Sequence, residues 1–248
     1  MNTDQFHRER LLGKGTTGEV YLVRDRKSQT LYAMKAYQQS YANEEFMLEY
    51  ELLKRLSHRG IPKVVGKDDK QGCIFMEYVH GTTLEHLTRT RPLTREEVRQ
   101  WMLEIRDIFI YLEDRYPIIV FRDLKPSNLM ITRLGHVKLI DFGGATEVRY
   151  NRGEPDNRIT KPWGTVGFAA PEQYQKGSID HRVDIYAFGA TFYYAMTGRH
   201  YDLKDPIQNK KGIRHIKGHY GRKIWRILEK CLKEDPEQRW QVAEEMMC

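Results

Sequence analysis

The apolar pattern of this chain changes period once, near Gly81, and that change limits the folds open to it. Before Gly81 the apolar residues alternate over short runs, as in half-buried strands. After it they recur at intervals of three and four, as on one face of a helix. Residues 19–24 and 30–37 are rich in β-formers and flank the polar turn Arg26-Lys27-Ser28-Gln29, which predicts a hairpin. Residues 43–56 read as one helix among the strands, with Glu49, Leu53 and Leu56 on a single face. Val64-Val65 and residues 73–79 read as a second strand pair, turning around Lys67-Asp68-Asp69-Lys70. Beyond Gly81, Thr94 and Glu97 have the spacing of a capping box, and Leu93 and Val98 that of a hydrophobic staple. Val98, Met102, Ile105, Phe109 and Leu112 then form the buried stripe of a long helix. Further helices are predicted over 183–196 and 224–232, with a polar loop at 149–164 long enough to suspect a function. The layout is α+β: a small β-rich part with one helix, a short connection at 78–82, and a larger helical part.

Composition excludes several alternatives. Hydrophobic residues make up 40% of the 248, enough to build a core and too many for a disordered chain. The net charge of +7 suits phosphate-bearing ligands or an acidic partner, but is too small and scattered to indicate nucleic-acid binding. Lys210, Lys211, Arg214, Lys217, Arg222 and Lys223 form a basic run interspersed with histidines. It reads first as a solvated face, and second as a dock for an acidic partner or nucleic acid. Cys73, Cys231 and Cys248 are far apart with no CxxC pair, as expected of reduced thiols. The start, MNTDQFHRER, lacks the apolar core of a signal peptide, and no apolar run approaches the roughly 18 residues of a membrane span. A soluble, cytoplasmic chain is the expectation; its oligomeric state is not legible.

Four motifs carry chemistry. Gly13-Lys14-Gly15-Thr16-Thr17-Gly18-Glu19-Val20 is a glycine-rich loop whose backbone amides could approach phosphate oxygens. A dinucleotide-binding turn would need a helix after the third glycine, whereas Val20-Tyr21-Leu22-Val23 continues as strand. Lys35 follows on the returning strand. Glu49 shares a face with buried leucines and so needs a cationic partner, for which Lys35 is the candidate; Glu45, one turn earlier, is the alternative acid. The remaining motifs are Phe121-Arg122-Asp123-Leu124-Lys125-Pro126-Ser127-Asn128 and Asp141-Phe142-Gly143, whose Asn and Asp oxygens suit Mg²⁺.

Taken together, these motifs resemble those of the eukaryotic-like protein kinase family, over nearly the whole chain. Ala170-Pro171-Glu172, Asp184 with Gly189, and Arg239 resemble later landmarks of the family, and Leu139–Gly144 with Pro171-Glu172-Gln173-Tyr174 resembles its bacterial members most. The resemblance implies a bilobal fold, with an N-lobe at 1–79, a C-lobe at 80–248 and an ATP cleft between them. It implies that Gly13, Gly15 and Gly18 cover the phosphates, and that Lys35, fixed by Glu49, holds them. Val20, Ala33 and Met130 would sandwich the adenine, and the backbone of Glu77 and Val79 would bond it. Asp123 would take the substrate proton, Lys125 would steady the γ-phosphate, and Asn128 and Asp141 would hold Mg²⁺, or Mn²⁺ in its place. Lys125 and the Thr165 stretch are similar to serine/threonine kinases, so the implied partner is a protein bearing Ser or Thr.

Some positions depart from the family pattern. Phe121 replaces the usual histidine, Gly144 doubles the glycine after Asp141-Phe142 and implies a flexible hinge, and Thr83 stands where a ribose-binding acid is often found. The short basic region after Tyr201 and the apolar end at Met246-Met247-Cys248 are what a shortened chain or a compact member would show. Arg122 and Thr160 imply a phosphate switch in the polar loop, with Thr160 flanked by Arg158 and Lys161. A pseudokinase or scaffold is the alternative reading, disfavoured by the complete residue set, and a small-molecule phosphotransferase is disfavoured by the segment from Thr165 to Glu172.

Overall fold

The computed structural model describes residues 1–15, 17–38, 44–151, 154–155, 163–175 and 177–246. Strands β1 (Phe6–Lys14), β2 (Gly18–Asp25), β3 (Leu31–Tyr37), β4 (Val64–Asp68) and β5 (Cys73–Glu77) form one sheet in the order β1-β2-β3-β5-β4. Helix α1 (Glu44–Lys54) lies between β3 and β4 in sequence. Every pairing is antiparallel, and register sorts the side chains onto two faces. Val20 lies opposite Lys35 and Leu22 opposite Ala33, while Lys35 lies opposite Ile74 and Ala33 opposite Met76. These residues share a face with Tyr37, two positions beyond Lys35. There Tyr37 and Ile74 are buried with Phe46 of α1, and Met47, Tyr50, Val64 and Met76 pack around them. The opposite face holds a second cluster of Phe6, Val23, Met34, Cys73 and Phe75.

The turn between β4 and β5 falls later than the sequence suggested, at residues 69–72, so Lys67 and Asp68 remain in the strand. Asp68 accounts for the shift. Its Oδ1 accepts from the amides of Lys70 at 3.1 Å and Gln71 at 3.3 Å, and Gly72 closes the turn at φ 58°.

Past β6 (Gly81–Thr83) come α2 (Leu84–Thr90), α3 (Arg95–Glu113), β7 (Ile118–Val120), β8 (Leu129–Thr132), β9 (Val137–Leu139) and β10 (Thr146–Val148). Strands β6, β8 and β9 form a three-stranded sheet, and β7 pairs with β10. Helices α4 (Arg182–Thr197), α5 (Pro206–His219) and α6 (Arg222–Cys231) complete the fold. The Thr94–Glu97 capping box is present, and the stripe of α3 is buried with Trp101 and Ile108 added to it. Thr83 serves locally: its hydroxyl caps α2 by accepting from the amide of His86 at 3.2 Å. Helix α5 was not anticipated, although Asp205 caps it and Pro206 opens it, a readable start signal. The chain divides into two compact units, Met1–His80 with Ile140–Gly143, and Gly81–Leu139 with Gly144–Cys248. Among the described residues no helix is long and apolar enough to cross a membrane.

Glu113 closes α3 and accepts from the amide of Ala243 at 3.0 Å. Burial, with Asp184, Asp114 and Asp180 nearby, pushes its carboxyl up to about 7. A carboxyl raised in the folded state lends its full stability below its unfolded value and loses it as pH rises through the folded one. Glu113→Gln keeps an acceptor for Ala243 and removes the charge. It is expected to match the wild type at about pH 4 and exceed it by on the order of 1–2 kcal/mol at about pH 8 in urea unfolding.

Candidate active site

Of the three loop glycines, only Gly18 is explained by packing, since a Cβ there would come within 2.1 Å of the Ala36 carbonyl oxygen. Among the described residues a Cβ on Gly13 would meet nothing within 4 Å, and one on Gly15 only the Gly18 carbonyl at 3.8 Å. The fold does not require glycine at those two positions, whereas close approach of a ligand to the backbone would.

Lys35 is buried on β3, and its Nζ donates to Glu49 Oε2 at 2.6 Å and to Asp141 Oδ1 at 2.7 Å. Glu49 is buried as well, and it is this acid, not Glu45, that meets Lys35. Burial works against the Lys35 charge, but Glu49 and Asp141 outweigh it and hold the ammonium above its ordinary value. Burial pushes the Glu49 carboxyl up, and Asp141 adds to that, against the pull of Lys35 and Tyr37. Asp141 takes φ 67°, a conformation uncommon outside glycine, as it delivers its carboxylate to Lys35.

Tyr37 was missed by sequence reasoning. Its hydroxyl donates to Glu49 Oε2, and its ring lies 5.1 Å from Lys35 Nζ. Strand period was the available signal, because Lys35 and Tyr37 must share a face. Glu49 Oε1 is buried without a hydrogen-bond partner among the described residues, so the carboxylate depends heavily on its other oxygen. Tyr37→Phe is expected to cost about 1.5–3 kcal/mol in chemical unfolding, the worth of a hydrogen bond to a buried charged group.

The second unit carries the other cluster. Asp123 Oδ2 accepts from Lys125 Nζ at 2.7 Å, and its Oδ1 accepts from the Thr165 hydroxyl at 2.7 Å. Lys125 also donates to Thr165 Oγ1 at 2.8 Å, which closes a triangle. Asn128 is buried, and its Nδ2 donates to the Asp123 carbonyl at 2.9 Å and to Oδ2 at 3.2 Å, which fixes the orientation of its amide. The backbone ahead of Asp123 is held by Asp184, whose carboxylate accepts from the amides of Phe121 at 2.6 Å and Arg122 at 2.7 Å. That clamp supports Arg122 at φ 70°. Burial pushes Asp184 up to about 7, opposed by those two amides. Arg122 has its guanidinium charge disfavoured by burial, and its Nε has no partner among the described residues. Thr160, Arg158 and Lys161, the other parts of the expected switch, lie outside the described residues.

Gln173 is a further residue whose task was not foreseen. Fully buried, it donates through Nε2 to the carbonyls of Arg122 and Trp163, both at 2.9 Å, and its Oε1 accepts from the Ala170 amide at 2.9 Å. It ties the segment that carries Thr165 to the loop that carries Asp123. The two glycines after Phe142 are sites of close approach, a role the sequence did not show. A Cβ on Gly143 would stand 3.0 Å from Lys35 Nζ, and one on Gly144 would strike the Trp163 indole at 2.0 Å.

The protein kinase domain family model matches residues 6–248, and the chain belongs to that family. It is 30% identical to the serine/threonine-protein kinase PrkC of Bacillus subtilis, over 96% of this chain and 38% of that protein. It is 34% identical to the human RAC-beta serine/threonine-protein kinase, over 79% of this chain and 41% of that protein. An Aurora kinase of Saccharomyces cerevisiae is 26% identical, over 100% of this chain and 69% of the relative. The chain therefore spans well under half the length of two of these relatives. A protein kinase domain works with ATP and a divalent metal. In one unit Asp141 offers carboxylate oxygens and Gly13 and Gly15 leave room beside the backbone, and in the other Asn128 offers an amide oxygen, each a kind of group that such ligands use.

Proposed function

We propose that this chain transfers the γ-phosphoryl group of ATP to serine and threonine hydroxyls of proteins, itself included, with Mg²⁺ as the metal. The Asp123–Lys125–Thr165 triangle carries the proposal. Asp123 accepts the proton of the substrate hydroxyl as its oxygen bonds to phosphorus and the bond to the leaving diphosphate breaks. Lys125, held in place by Asp123 and Thr165, offsets charge on the phosphoryl oxygens. Glu49 and Tyr37 fix Lys35 for the nucleotide phosphates, with Gly13, Gly15 and Gly18 offering backbone amides. Asn128 and Asp141 would hold Mg²⁺, which supplies charge neutralisation when bound. Val20, Ala33 and Met130 are assigned to the adenine ring. The backbone of Glu77 and Val79 is assigned to its edge, where the strand ladder ends and residues 78–80 have no regular structure. Free thiols at Cys73 and Cys231 support a reducing, cytoplasmic setting: both are buried, and burial pushes Cys73 up to about 11.

The test is phosphosite mapping after incubation with Mg-ATP or Mn-ATP, with Lys35→Met as the control. Phosphate on Ser and Thr, absent from the control and favoured by Mg²⁺, is the expected result. Incorporation no greater than in the control would overturn the transferase reading and leave a nucleotide-binding scaffold.

A further inference from the structure

The charge of this chain is concentrated in one place. Seven of its 41 Lys and Arg residues lie between Pro206 and Leu228, where there is no Asp or Glu. The other 34 are matched by 34 acidic residues, so this one stretch carries the formal net charge of +7. On α5, Lys210, Lys211, Arg214 and Lys217 are all exposed, and on α6 so are Arg222, Lys223 and Arg226. Some basic side chains elsewhere in this unit find acids, as Arg91 does Glu97, Arg182 Asp180 and Arg239 Glu172. None of these seven forms an ion pair among the described residues.

Helix physics does not ask for this arrangement. Lys210 and Arg214, like Arg222 and Arg226, are like charges four residues apart, which destabilise a helix. Arg222 and Lys223 open α6, where the macrodipole favours acids, and no acid stands in that first turn. Lys217 and His219 close α5, where cations suit the macrodipole, so the unfavourable placements are the like-charged pairs and the start of α6, and such local costs point to a role outside the fold. The face is also held firmly. Asn209, Gly212 and Ile216 bury the other side of α5, and Gly212 lies so close to Tyr193 of α4 that a Cβ would meet its hydroxyl at 2.0 Å.

We infer that the exposed basic face of α5 and α6 docks acidic segments of the proteins this chain phosphorylates. The inference rests on the proposed kinase activity for its purpose, though not for its chemistry. Single-stranded nucleic acid would call for free exposed stacking rings, yet Tyr220 and Trp225 are buried, and the exposed rings of His215 and His219 stack on each other at 4.2 Å. A membrane surface would call for an apolar face to insert, and that side of α5 is already packed against the protein; Ile207 is the one large apolar residue exposed on the helix. A flexible acidic polypeptide needs only a row of exposed cations, and the unit that carries Asp123 is where a protein substrate must come.

The direct test is fluorescence anisotropy of a labelled octaglutamate peptide with the wild-type chain and with the triple variant Lys210→Glu, Lys211→Glu, Arg214→Glu. Circular dichroism would verify that the variant is folded. Salt-sensitive binding, weakened about tenfold or more in the variant, is expected. Equal binding by both proteins, or tighter binding of oligothymidylate or of phosphatidylserine vesicles than of the peptide, would overturn the inference. A second arm compares a serine peptide with the same peptide carrying the octaglutamate tail. The tail is expected to lower KM in the wild type without changing kcat, and to have no such effect in the variant. If neither peptide is phosphorylated, the kinase proposal fails while the anisotropy still decides the docking.

Discussion

Asp123→Asn is expected to reduce phosphoryl transfer by about 10³-fold while the fold survives, because it removes the proton acceptor and keeps the shape. The geometry supports both halves. An asparagine carbonyl could still accept from Lys125 and Asn128, which now donate to Oδ2 at 2.7 and 3.2 Å. Its amide could donate to Thr165, whose hydroxyl can accept as well as donate. What the amide cannot do is take a proton from an attacking hydroxyl. Single-turnover phosphorylation, with thermal melting measured in parallel, separates the two effects. Near-native turnover in a folded variant would remove Asp123 from the mechanism. Loss of turnover with a collapsed melting curve would show instead that Asp123 is needed to hold its loop.

How far the site was legible depends on whether a residue's partner lay within reach of a local pattern. Lys35 and Glu49 were paired from a strand and a helix face, because a carboxylate among buried leucines has few ways to be satisfied. The faces of the sheet followed from alternation, and so in principle did Tyr37, which lies on the Lys35 face and touches both members of the pair. It was passed over because a tyrosine in a strand is ordinarily packing. Gln173 was beyond local patterning. Its partners lie at Arg122 and Trp163, and no period or motif links a polar residue in a turn to carbonyls in two distant segments. The same limit applied to the glycines. Gly143 and Gly144 look like hinge residues in the sequence, and only the positions of Lys35 and Trp163 show what would occupy the space of a Cβ. Helix α5 escaped for a different reason: its lysines and glycines dilute the apolar period to Asn209, Gly212 and Ile216, a stripe with one large apolar residue.

Arg239→Ala is expected to be the most destabilising of the substitutions considered, by about 3–5 kcal/mol, in the range seen when one partner of a buried ion pair is removed. In the sequence Arg239 is one of the landmarks that resemble the family, and its environment raises the stakes. The Arg239 side chain is fully buried, and it makes five hydrogen bonds, one for each guanidinium N–H. Two go to the Glu172 carboxylate at 2.6 and 2.9 Å, and three to the carbonyls of Lys233, Arg182 and Glu234. Its guanidinium carbon lies 5.0 Å from the Tyr186 ring centroid. Truncation would therefore leave a carboxylate and three carbonyls without their donor at once. Lysine cannot rescue it, having three donors on a point charge where five in a planar fork are used. At roughly 2–4 °C per kcal/mol for a chain of this size, the melting temperature should fall by about 10 °C. A melting temperature within a few degrees of wild type in Arg239→Ala would mean that water satisfies these groups, and that the link between Glu172 and the end of the chain is dispensable.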